Sequence, residues 1–166
     1  MLSSTKWLLR LCNILNWIGV AFVCIVMVVL IIDPAPLAAR LATRFGSNEE
    51  LVRWSFVAVC ALVVPAGIAT NRIFTRLIAM IDSVVAGSTF HPDNVGRIQT
   101  IAWAMLALQL LDLVFGAISL SLSKVTGDYF GWSLSFGGWL SVLMLFVLAQ
   151  VFRQGAQMQA DLEGLV

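Results

Sequence analysis

Four runs of mostly apolar residues dominate this chain, at about 11–32, 54–81, 98–120 and 134–152. Each is long enough to cross roughly 30 Å of hydrocarbon, which takes about 20 residues of helix. Backbone amides in lipid must be satisfied within their own segment, so all four runs are expected to be helical. The second is oily to Ala69 and amphipathic beyond it. No strand-like alternation competes with the helical pattern. Composition agrees: 60% of the 166 residues are hydrophobic and 11% are charged, against about 25% charged in a soluble domain. The expected fold is all-α, an integral membrane four-helix bundle forming a single transmembrane domain over 1–166, with a tail at 153–166. The first run exceeds the apolar core of a signal peptide and is taken as a retained span.

Sidedness follows from Lys and Arg in the short flanks. Lys6, Arg10, Arg72, Arg76, Arg97 and Arg153 fall on one side, and Arg40, Arg44, Arg53 and Lys124 on the other. The excess places both termini in the cytoplasm. Leu37, Leu41 and Phe45 share one helical face, so Arg40 and Arg44 are assigned to a short interfacial helix.

The polar stretch GSTFHPDNVGR, residues 87–97, then becomes the cytoplasmic link between the second and third spans. Gly87 is placed to end the second helix, and Pro92 suits the first turn of the third. His91 falls at the N-cap position. Asp93 sets a negative charge beside the free amides of the first turn. His91 is the only histidine and has no cysteine nearby, so no metal site is expected. Cys12, Cys24 and Cys60 lie inside apolar runs and behave as small hydrophobes.

Phe90, Pro92, Asn94, Val95 and Arg97 ahead of a hydrophobic helix, together with the ending VFRQGAQMQADLEGLV, resemble the domain-of-unknown-function 2975 family. The resemblance implies a four-span protein of the bacterial inner membrane, of a kind often encoded beside a small helix-turn-helix regulator. Family members usually carry Ser or Thr where His91 stands, a better cap for the helix amides.

Asp112 is the most informative polar residue within the spans. A charge at mid-membrane costs about 2.5–3.5 kcal/mol on insertion scales, so it should face other helices or water. Gln109, Asp112, Gly116 and Ser119 form one stripe at helical spacing. Ser133, Gly137 and Ser141 recur every four residues in the fourth run, and small residues at that spacing let helices approach closely. Asp112 is therefore expected to hydrogen-bond Ser141 or Gln109, with Gly116, Ser133 and Gly137 at the helix contact. Its role is either neutral glue between helices or a proton or cation relay. Glue is favoured, because no chain of ionisable groups accompanies Asp112. Asn13 and Asn16 are read as glue as well, and Pro65 should kink the second span.

Arg72 and Arg76 mark an amphipathic extension of the second span, and Phe152 and Arg153 open that of the fourth. Their plainest role is snorkelling at the headgroups. The sharper role is a cytoplasmic docking surface for a partner helix. The chain carries no catalytic or phosphate-binding motif, so neither an enzyme nor a cofactor is expected. Its net charge of +1 gives no sign of direct nucleic-acid binding. The lipid bilayer is one partner, and a homo-oligomer is compatible with the sequence. The preferred expectation is an interaction protein signalling to a helix-turn-helix regulator. The alternative is a small oligomeric transporter or channel subunit using Asp112.

Overall fold

Four helices carry the chain: α1 (Leu2–Ile32), α2 (Glu49–Val85), α3 (Pro92–Thr126) and α4 (Phe136–Glu163). They are seen in a computed structural model that describes residues 2–33, 35, 43–45, 48–87, 92–128 and 131–163. No strand occurs among the described residues. Each helix is long and apolar enough to cross a membrane, over Ser3–Ile32, Glu49–Val85, Asp93–Thr126 and Phe136–Met158. The chain is all-helical, with the four candidate spans of a multi-pass membrane protein.

The helices outrun the apolar segments that announce them. α1 starts at Leu2 and α2 at Glu49, where hydropathy alone suggests 11 and 54. Nothing in those flanks breaks a helix, so the ladder of amide–carbonyl bonds continues past the oily residues. α2 passes through Pro65 without ending. It stops before Gly87, whose φ of 79° is the left-handed backbone that glycine adopts without a Cβ penalty. The amide of Gly87 donates to the Val84 carbonyl at 3.1 Å, closing the last turn. α3 begins at Pro92, where a missing N–H costs no helical bond. His91, and the Leu37, Arg40 and Leu41 of the expected interfacial helix, lie outside the described residues.

The chain packs as two compact units, whose boundaries cut α1, α2 and α3 within their length. One comprises residues 1–15, 69–109 and 135–166, and the other residues 16–68 and 110–134. In the first, the Lys6 ammonium pairs with the Asp82 carboxylate and ties α1 to α2. Ile98, Ile101 and Ala102 of α3 are buried, as are Val142 and Ala149 of α4. Trp103 meets Phe146 edge to face, with centroids 5.3 Å apart, the arrangement that aromatic quadrupoles prefer.

In the second unit α1 and α2 touch closely at Gly67. A Cβ there would overlap Val20 Cγ2, and the Asn16 amide donates to the Gly67 carbonyl at 3.1 Å. Val52 and Leu122 form a small buried cluster with Phe45 against it. Arg44 pairs with Asp128 at 3.0 Å. Large apolar side chains elsewhere stand exposed, among them Phe22, Ile32, Phe136 and Met144. In water such a surface would aggregate. In a bilayer it is the ordinary outer face.

The Gly67 contact is rigid on both sides, because a β-branched valine in a helix has one strongly preferred rotamer. Gly67→Ala should therefore destabilise the protein by about 1–3 kcal/mol, the usual cost of overpacking. Gly19→Ala, whose added Cβ would meet nothing within 4 Å, should be neutral or stabilise by up to about 1 kcal/mol. Unfolding of both variants in mixed micelles checks the pair, and equal effects would remove the close α1–α2 approach from the account.

Candidate functional site

Two polar clusters join elements of the chain, and basic side chains stand exposed on α2 and α4. The first lies where α2 ends and α3 begins. Asn94, in the first turn of α3, is 1% exposed. Its amide donates to Ser83 Oγ at 2.7 Å, and the Ser83 hydroxyl donates to the Met80 carbonyl at 2.8 Å. Arg97 Nη1 donates to Asn94 Oδ1 at 2.8 Å and to the Ala79 carbonyl at 2.9 Å. Every polar atom of the Asn94 side chain is thereby matched, as a buried amide requires. The network ties the first turn of α3 to the last two turns of α2. Val95 is buried beside it. Asn94 and Arg97 of the polar stretch thus hold two helices together, while Phe90 lies outside the described residues.

The second cluster surrounds Asp112. Its carboxylate accepts a hydrogen bond from the indole N–H of Trp132 at 3.3 Å. Trp132 stands in the non-helical segment 131–135 that precedes α4, and its ring lies against buried Gly116. A Cβ on Gly116 would overlap the indole, so the absence of a side chain there lets Trp132 reach Asp112. The expected bond from Asp112 to Ser141 or Gln109 is replaced by this one. The Ser141 hydroxyl instead donates to the Gly137 carbonyl of its own helix at 2.8 Å.

The expected small-residue contact is corrected as well. Ser133, Gly137 and Ser141 are all exposed, and a Cβ on Gly137 would meet nothing within 4 Å. Ser133 precedes the helix, which starts at Phe136, so it never shares a helical face with the other two. The close approach is made one residue along, at Gly138, where a Cβ would overlap the Gln109 amide. Val142 and Ala149 continue that buried face. Gln109 Oε1 is buried there with no hydrogen-bond partner among the described residues, as is Asn13 Oδ1. Ser119 is buried, completing the inward stripe of α3.

Arg72, Arg76 and Arg153 are exposed, and Phe152 is half-buried. A separate apolar cleft of about 170 Å³ lies between α2 and α3, lined by Phe56, Val59, Phe115 and Ile118 with Ser55 and Ser119 at its polar points. No group of three or more His, Cys, Asp or Glu able to hold a metal ion exists among the described residues.

A family model described as "Protein of unknown function (DUF2975)" matches residues 38–166. The chain belongs to this family. The DUF2975 match takes in α2, α3 and α4 and leaves α1 outside it. No curated protein and no solved structure matches the chain. Within the DUF2975 chain, sequence reasoning missed Trp132 and Gly138. Trp132 reads as an interfacial tryptophan, and the only hint of its role is the short connection that brings it back over α3. Gly137 and Gly138 are adjacent, and spacing alone does not decide which one faces inward.

Asn94→Ala strips the charged Arg97 and the half-buried Ser83 of their shared partner. It should cost about 2–3 kcal/mol, the upper part of the range for an orphaned buried polar group. Gly96→Ala, with nothing within 4 Å of the added Cβ, should cost nothing measurable. Differential scanning in detergent compares the two, and an unshifted transition for Asn94→Ala would remove the network from the list of structural ties.

Proposed function

We propose that the chain is an integral membrane interaction protein of the bacterial inner membrane, with both termini in the cytoplasm and no enzymatic activity of its own. Its cytoplasmic end docks a small helix-turn-helix regulator. The observation that carries this is the length of α4. It stays helical to Glu163, about 15 Å beyond Arg153 at the rise of an α-helix. That extension leaves the apolar segment as a helix with Gln154, Gln157 and Met158 exposed, a surface suited to a partner helix. Arg72 and Arg76 of α2 and Arg153 of α4 are exposed within the same compact unit, and supply positive charge for acidic side chains on the regulator.

Signalling follows from packing. The ends of α1, α2 and α3 in this unit are tied by the Lys6–Asp82 pair and the Asn94 network. A stimulus that shifts these ties changes how much of the docking surface is presented, provided that the regulator binds one arrangement better than the other. A transporter or channel subunit is the weaker alternative. Asp112 is its ionisable group, and that carboxylate is engaged by Trp132 rather than by a second ionisable side chain.

Co-purification from gently solubilised membranes tests the docking. A helix-turn-helix protein should accompany the full chain and be lost, by at least tenfold, when residues 153–166 are deleted. Full recovery of that partner with the truncated chain would contradict the proposal.

A further inference from the structure

The arginines of the two compact units are treated differently. In the unit of residues 16–68 and 110–134, Arg44 pairs with Asp128 at 3.0 Å and Arg53 lies 4.0 Å from Glu50. Both also lie against aromatic rings, Phe45 and Trp54. In the other unit Lys6 is taken by Asp82 and Arg97 by the Asn94 network. Arg72 and Arg76 have no acidic partner among the described residues, and both are exposed.

Arg72 and Arg76 are neighbours at i, i+4 on α2, with Cβ atoms about 5–6 Å apart. Two like charges at that spacing destabilise a helix. Asp82, the acid nearest to them on α2, is occupied by Lys6. The pair is therefore an uncompensated double cation on the outer face of a membrane helix. It sits at the point where the oily part of α2 gives way to its amphipathic end. Guanidinium groups match phosphate oxygens with two parallel hydrogen bonds. Positive charge where a membrane helix leaves its oily segment fits the anionic headgroups that a bilayer presents at that level.

We propose that Arg72 and Arg76 bind the phosphate headgroup of an anionic phospholipid. The phosphodiester lies between the two guanidinium groups and relieves their repulsion. The two arginines also belong to the docking surface proposed above. The lipid contact does not depend on a regulator, and its test uses none.

Native mass spectrometry of the purified full-length chain, released from detergent in the presence of defined lipids, reads the contact directly. Phosphatidylglycerol should bind at least tenfold more tightly than phosphatidylcholine, whose headgroup carries no net charge. With about 1 kcal/mol per basic residue near an anionic surface, the double variant R72Q/R76Q should lose roughly 30-fold in phosphatidylglycerol binding. Lys124→Gln, in the other unit, should change nothing. R72K/R76K keeps the charge without the planar fork and should fall between wild type and the glutamine variant. Equal binding of the two lipids by the wild type overturns the proposal, even if the glutamine variant fails to fold. So does phosphatidylglycerol binding that survives R72Q/R76Q, and so does full displacement of the lipid by millimolar inorganic phosphate, which would mark a site for the free anion.

Discussion

In hydrocarbon a backbone amide has no water to turn to, so every span must bond to itself as a helix. That one constraint fixes the four elements and leaves their association to side chains. The hydrophobic effect gives little help, because lipid tails are as apolar as leucine. What remains is close approach and inter-helix hydrogen bonding. The chain uses both at a few places. Gly67 admits Val20, and Gly138 admits Gln109. Asn16 bonds the Gly67 carbonyl, Trp132 bonds Asp112, and Asn94 joins Ser83 to Arg97. Each hydrogen-bonded tie places a polar group where an unpaired one would be costly, so these ties specify geometry as well as holding it.

The spans were legible because their signal is length and oiliness, and both survive any arrangement of the helices. The ends of the polar stretch were legible too, since Gly87 and Pro92 carry backbone preferences that act locally. Contacts between elements were not. The four-residue spacing of Ser133, Gly137 and Ser141 has meaning only if all three are helical, and Ser133 is not. Shifting the inward face from Gly137 to Gly138 turns it by about 100° around an α-helix of 3.6 residues per turn. The partner of Asp112 comes from a connecting segment, where periodicity gives no guidance. Asn94 stood in a recognisable motif without any sign that it would be among the most buried polar groups.

The polar clusters bear on function in different ways. Asp112 and Trp132 form a hydrogen-bonded pair with Gly116 shaped to admit it. The Asn94 network instead sits at the junction of α2 and α3, in the same compact unit as the exposed arginines and the extended end of α4. A change in packing within that unit bears on the surface where a regulator or a headgroup would bind. Membership of DUF2975 gives the chain relatives, themselves described as of unknown function.

Labelling in sealed vesicles tests the membrane-spanning arrangement most directly. With Cys12, Cys24 and Cys60 replaced by Ser, single cysteines at Ser3, Asp128 and Gln157 would be offered a membrane-impermeant maleimide. Four crossings predict that Ser3→Cys and Gln157→Cys react from one side and Asp128→Cys only from the other. Labelling of Ser3→Cys and Gln157→Cys from opposite sides, or of all three from the same side, would contradict the four-span account.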